Sequence, residues 1–151
     1  MLEQASVPRL EILLAEDNEF DIHITEAALR DATMPNRVSS VADGEAALAF
    51  LKRAGDYSQA PRPDLILLDL NLPKMNGFQV LEAIKADPEL RNIPVVVVSG
   101  SDRSADIARA YGLQVSAFIV KPFEIDEYFA AIRSLKQLWF HAASRSPKPD
   151  S

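Results

Sequence analysis

Three acidic side chains stand where short apolar runs stop. Glu16 and Asp17 directly follow Leu10 to Ala15, and Asp69 directly follows Leu65 to Leu68. If those runs are neighbouring parallel strands, the acids share the carboxyl-end rim, where open α/β sheets bind their ligands. Three carboxylates in one pocket repel each other unless a cation neutralises them. A hard, oxygen-seeking divalent ion such as Mg²⁺ is the natural solution. Two more runs end in polar groups: Ser99 after Val95 to Val98, and Lys121 after Ser116 to Val120. A hydroxyl and an ammonium facing a carboxylate–metal site suit a ligand with anionic oxygens. A phosphoryl group on Asp69 fits, with Mg²⁺ holding one oxygen, Lys121 a second and Ser99 a third. Each residue alone has a plainer reading as a strand cap or a surface lysine; the joint placement favours chemistry.

The elements that must position these groups alternate between two periods. Strands are expected at Leu10 to Ala15, Arg37 to Val41, Asp64 to Leu68, Pro94 to Val98 and Ser116 to Val120. Helices are expected at Glu19 to about Ala32, Glu45 to Arg53, Phe78 to Ala86, Asp102 to Tyr111 and Ile125 to about Ala142. Asn18 is placed to cap the first helix, and Asp87-Pro88 to stop the third. Ile24, Ala27, Ala28 and Asp31 fall on one stripe of the first helix, and Ala47, Leu48 and Leu51 face inward from the second. The unbroken runs Leu65-Ile66-Leu67-Leu68 and Val95-Val96-Val97-Val98 suit central strands covered on both faces. Five alternations imply right-handed crossovers and a parallel sheet between helices. Gly55 to Pro63 reads as the longest loop. Ser144 to Ser151 is polar and proline-rich, which suits a mobile tail.

Composition removes several function classes. With 151 residues, 48% hydrophobic and 25% charged, the chain fits one globular domain. Its net charge of −6 gives no electrostatic reason to hold nucleic acid. It contains no cysteine, which excludes disulfides, zinc–thiolate sites and cysteine catalysis. Met1 to Val7, with Glu3 and Gln4, does not resemble a signal peptide, and no apolar run is long enough to span a membrane. A cytoplasmic location is therefore expected.

The combination closely resembles the receiver domain of two-component response regulators: Glu16-Asp17, Asp69, Ser99 30 residues later, and Lys121-Pro122 a further 22 residues on. The resemblance covers about Arg9 to Ala142. It implies a flavodoxin-like (βα)5 doubly wound parallel sheet with strand order 2-1-3-4-5, so that the first and third strands are neighbours. The expected organisation is a receiver domain at 9–142, an N-terminal extension at 1–8 and a tail at 143–151. The resemblance also implies residue roles. Asp69 would be the phosphorylated nucleophile; Asp17 would bind Mg²⁺ directly, Glu16 through water, and Asn71 through its backbone carbonyl. Ser99 would hydrogen-bond the phosphoryl group and Lys121 would pair with it. The bond before Pro122 is expected to be cis. Phe118 matches the family's aromatic switch, without the hydroxyl that many members carry there, and Gly100 leaves space beside Ser99. The protein would be a phosphoacceptor that catalyses its own phosphotransfer and autodephosphorylation rather than a conventional enzyme.

A narrower resemblance is to stand-alone regulators of bacterial phytochrome kinases, carried by Pro61-Arg62-Pro63-Asp64, by Leu70 to Gly77 and by Leu138-Trp139-Phe140. It implies a sensor histidine kinase of phytochrome type as donor, and a homodimer through the fourth helix, fifth strand and fifth helix. On the fifth helix, Ile125, Phe129, Ile132, Leu135 or Lys136, and Trp139 form an inward stripe. Tyr128, Leu138 and Phe140 lie off it, as an exposed apolar interface. With no output domain expected, signalling would pass to a downstream protein or a phosphorelay.

Three rival readings differ in class. A dehalogenase-type phosphatase needs a second aspartate two residues after the nucleophile, where Asn71 stands. A flavodoxin-like electron carrier needs a phosphate cradle in the first loop, where Glu16 and Asp17 would repel it. A phosphorylation-independent adaptor of the same fold would have no need of the intact acidic set.

Overall fold

The computed structural model describes residues 9–31, 35–121 and 124–135. Five parallel strands form one sheet: β1 (Leu10–Ala15), β2 (Asn36–Val41), β3 (Leu65–Leu68), β4 (Val95–Ser99) and β5 (Ala117–Val120). Their order is β2-β1-β3-β4-β5, as expected. The helices between them are α1 (Glu19–Arg30), α2 (Gly44–Lys52), α3 (Gly77–Ala86), α4 (Ser104–Gly112) and α5, described over Ile125–Ser134.

The two unbroken apolar runs take the sheet's interior. Every residue of β3 and β4 is buried, whereas most of β2 and β5, at the edges, is only half-covered or exposed. Because successive side chains of a strand face opposite ways, the interior strands feed two cores. Leu13, Ile66, Leu68, Val95 and Val97 meet α2, α3 and Ala110 of α4 on one face. Ile12, Leu14, Leu65, Leu67, Val96 and Val98 meet α1 and α5 on the other. Each fully buried side chain of this kind contributes about 1.5–3 kcal/mol, so the sheet's centre is the rigid part.

Short polar contacts set the ends of the elements. Asn18 caps α1 by accepting from the Asp21 backbone N–H at 2.9 Å. Asn76 and Gln79 form a reciprocal capping box at the start of α3. Asp64 precedes β3 rather than joining it; its carboxylate accepts from the Glu11 backbone N–H at 2.9 Å and ties β3 to β1. The loop before β3 contains a short 3₁₀ turn at Gly55–Tyr57, and Tyr57 packs its ring against Phe50 of α2.

The helical faces depart from the sequence pattern in three places. On α1 the buried set is Ile24, Thr25, Ala28 and Leu29, while Ala27 is half-covered and Asp31 is exposed and paired with Arg133. On α2, Ala47 and Leu51 are buried as expected, but Phe50 joins them and Leu48 is only half-buried. The third departure concerns the expected interface. Tyr128 is 1% exposed, not a surface residue, and Ile125, expected to point inward, is 53% exposed.

The cause is a polar partner that periodicity cannot show. The Tyr128 hydroxyl lies 2.8 Å from Thr25 Oγ1 of α1, so the phenol can be buried without losing its hydrogen bond. Tyr128 and Ile132, four residues apart, then become the anchors of α5 on the sheet. Burial raises the Tyr128 phenol from its ordinary 10.0 to about 12, against a smaller lowering by the Thr25 hydrogen bond. Because the folded-state value is the higher one, this stability is whole below pH 10 and is lost as pH rises towards 12. Tyr128→Phe is therefore expected to cost about 1 kcal/mol at neutral pH and to blunt the alkaline loss, as read from urea melts at several pH values.

Leu138 and Phe140, the other expected interface residues, lie outside the described residues, as do Pro122, the N-terminal extension and the C-terminal tail. Among the described residues no helix is long and apolar enough to cross a membrane.

Candidate functional site

Strand register assembles the site. Ala15 of β1 pairs with Leu68 of β3, so the residues that follow, Glu16 and Asp69, leave the sheet side by side. The Asp69 N–H donates to the Ala15 carbonyl at 3.0 Å and keeps them so. On the other side Ser99 pairs with Val120, and the Lys121 N–H donates to the Ser99 carbonyl at 2.6 Å, which starts the lysine next to the serine.

Carboxylate oxygens of Glu16, Asp17 and Asp69 all lie within 4.8 Å of one another. Glu16 and Asp69 are buried and Asp17 is exposed, so the group opens to solvent through Asp17. Lys121 reaches into it. Its Nζ donates to Glu16 Oε1 at 2.7 Å, Asp21 Oδ2 at 2.8 Å and Asp69 Oδ2 at 3.2 Å. The other Asp69 oxygen accepts from the Asn71 N–H at 3.0 Å, and Glu16 Oε2 accepts from the Asn18 N–H at 3.1 Å.

One ammonium thus meets three carboxylates, with the Asp17 carboxylate close to two of them, and the electrostatics show the imbalance. Burial, with the neighbouring charge of Asp69, pushes Glu16 up to about 7 against the opposing hydrogen bonds from Lys121 and Asn18. Burial alone would lower Lys121, but its hydrogen bonds to Asp21 and Glu16 and the charges of Asp69 and Glu16 hold it above its ordinary value. Hard oxygen donors with surplus negative charge are what a divalent cation requires, so the residue set fits one.

The remaining expected residues stand around this centre. Ser99 is fully buried, and its Oγ accepts from the Ser101 N–H at 3.2 Å. Ser101 Oγ in turn donates to Asp106 Oδ2 at 2.6 Å, which links the β4–α4 loop to the first turn of α4. Gly100 borders open space. Phe118 is half-buried against the core shared by α2, α3 and α4. Asn71 is exposed, with its backbone at the site. A cavity of about 490 Å³ opens between the β3–α3 loop and α4, lined in part by Asn71, Ser101, Asp106 and Arg109.

Two contributors escaped the sequence reading. Asp21 sits on the first turn of α1, where an acid reads as a response to the helix dipole; its spacing four residues after Asp17 was the available signal. Gly77 lets α3 start hard against the end of β3. A Cβ there would collide with the Asp69 carbonyl oxygen and lie 2.5 Å from Leu70 Cα.

Known proteins agree with this geometry. Residues 12–133 match the response regulator receiver domain. Response regulator Rcp1 of Synechocystis sp. is 36% identical over 144 residues, which span 95% of this chain and 97% of that protein. The solved structure of the phosphorylated cyanobacterial phytochrome response regulator RcpA matches with a TM-score of 0.82 and 44% identity, covering 88% of this chain and 95% of its own. The Mn²⁺-bound form of Rcp1 matches with a TM-score of 0.80 and 38% identity, covering 86% and 94%. The phosphatase and electron-carrier readings fall away. The chain belongs to the response regulator receiver domain family, the phosphoacceptor proteins of two-component signalling.

Proposed function

We propose that Asp69 is the phosphoacceptor, Mg²⁺ the metal, and a phosphohistidine on a sensor kinase of phytochrome type the donor. The observation that carries this is Lys121 Nζ, 3.2 Å from Asp69 Oδ2 and inside a carboxylate cluster suited to a divalent ion. A carboxylate oxygen of Asp69 forms the new P–O bond as the P–N bond to the donor imidazole breaks; the imidazole leaves with the bonding electron pair and takes up a proton. Lys121 stabilises charge on the transferring group. Asp17, Asp69 and the Asn71 carbonyl would hold Mg²⁺, with Glu16 acting through water. The ion supplies neutralisation of the phosphoryl oxygens when bound.

The protein's own residues perform the transfer and the later hydrolysis, so small phosphodonors serve as well as a kinase. Ser99 lies beside open space at Gly100 and hydrogen-bonds the new phosphoryl group, giving up its bond from Ser101 N–H. Phe118 follows by packing alone, since it has no hydroxyl to bond in either position. The output surface is α4, β5 and α5, where Tyr111, Val120 and Ile125 are exposed apolar residues. That surface supports a homodimer and contact with a downstream protein or relay. The receiver body spans 9–142, between an N-terminal extension and a tail, and works in the cytoplasm.

Acetyl phosphate with Mg²⁺ is expected to place one hydroxylamine-labile phosphoryl group on each chain, and none when EDTA is present. Chromatographic size before and after labelling reads the dimer, and a panel of kinases reads the donor. Failure with every donor, while Mg²⁺ still binds, would leave the phosphorylation-independent adaptor as the better account.

A further inference from the structure

Lys121 has three ammonium N–H groups, and each meets a carboxylate. Glu16 and Asp69 belong to the converging acidic group, but Asp21 does not. Asp21 stands on the first turn of α1, with its own N–H tied to the Asn18 cap at 2.9 Å. That holds the backbone from which its carboxylate reaches Lys121. At 2.8 Å its contact with Lys121 is also shorter than the 3.2 Å contact between Lys121 and Asp69.

We infer that Asp21 is a positioning residue for phosphoryl transfer: it draws the Lys121 ammonium towards α1 and orients it while one N–H remains directed at Asp69. The inference rests on reading Asp69 as the acceptor and Lys121 as its cation. A lysine side chain is a flexible stem with a rotatable, compact charge, so its usefulness depends on what holds it. With only Glu16 and Asp69 as partners it would settle between those two carboxylates and neutralise them. A third carboxylate to one side takes it off that line. Asp21 takes no part in bond making, because the P–O bond forms at Asp69 and the donor's bond to phosphorus is the one that breaks. Lys121 therefore retains a fixed partner when the Asp69 carboxylate becomes an acyl phosphate and the ammonium meets a phosphoryl oxygen instead.

The test is the rate of labelling by acetyl phosphate at saturating Mg²⁺. Asp21→Asn keeps the shape of the side chain and is expected to slow labelling about tenfold, the scale of a charged group loosened rather than removed. Asp21→Glu is expected to recover part of the rate. In a Lys121→Ala background, Asp21→Asn is expected to add nothing. Equal slowing in both backgrounds, no slowing, or acceleration would each overturn the proposal; acceleration would show that Asp21 acts by repelling the donor. The Lys121 ammonium signal in ¹⁵N-detected NMR is the second readout, and it decides if the Lys121→Ala chain labels too slowly to compare. The signal should broaden in Asp21→Asn through faster proton exchange and sharpen again in Asp21→Glu; an unchanged signal overturns the role. Absence of label on the wild-type chain would instead strike the phosphoacceptor reading, with the NMR arm still reporting whether Asp21 holds the lysine.

Discussion

Asp69→Asn is expected to abolish acyl-phosphate formation with acetyl phosphate and Mg²⁺, a loss of at least about a thousandfold. The amide is close in shape to the carboxylate, and its oxygen can still accept from the Asn71 N–H that holds Asp69 Oδ1 at 3.0 Å. It lacks the charge that makes the carboxylate a nucleophile. The substitution also removes one of the three carboxylates that crowd Lys121, beside a fourth on Asp17, so the fold is expected to survive and its thermal midpoint to hold or rise. Loss of label with an intact melt is thus the expected pair of results. Undiminished labelling of the variant would mean that another group accepts the phosphoryl, and the assignment would fail.

The second large effect is expected at Gly77, which touches no ligand. A Cβ there would run into the Asp69 carbonyl oxygen and Leu70 Cα, which are backbone atoms and cannot rotate aside. The Gly77 N–H donates to the Leu70 carbonyl at 2.9 Å, so helix and strand end are bonded at the point of collision. Gly77→Ala must separate them, at about 3 kcal/mol of stability, in the range of other overpacked cores. The segment that yields is the one carrying Asp69, so Mg²⁺ affinity should fall with stability. Gly100→Ala, with open space around it, is the matched control. Urea melts and metal titrations read both effects; a Gly77→Ala chain with wild-type stability and affinity would show that the contact relaxes at no cost.

Much of this architecture was legible from residue order because strand ends are marked by a change of residue type. Glu16, Asp17, Asp69, Ser99 and Lys121 each follow an apolar run, and parallel pairing brings such positions to one rim. What stayed hidden depends on contacts between elements. Asp21 looks like an ordinary acid at a helix start until Lys121 arrives from 100 residues away. Tyr128 was misplaced because α5 offers two overlapping apolar stripes three residues apart, Ile125–Phe129–Ile132 and Tyr128–Ile132–Leu135. A hydroxyl on α1 chooses between them. Gly77 falls just before the helix expected from Phe78, where nothing in the sequence shows that its lack of a side chain serves the closeness of two backbones.

The uneven anchoring of the helices bears on how a small chemical event can be felt at a distance. α3 sinks five residues into the core, while α4 sinks Ala110 alone and is otherwise steadied by Arg109, which lies over the Phe78 ring and pairs with Glu82. The segment beyond Ser99 hands its hydrogen bonds directly to the first turn of that shallow helix. A pull of an ångström there meets little resistance from α4 and a great deal from the β3–β4 centre. The domain therefore divides into a stationary keel and a loose rudder, and the message can be steered without reopening the hull.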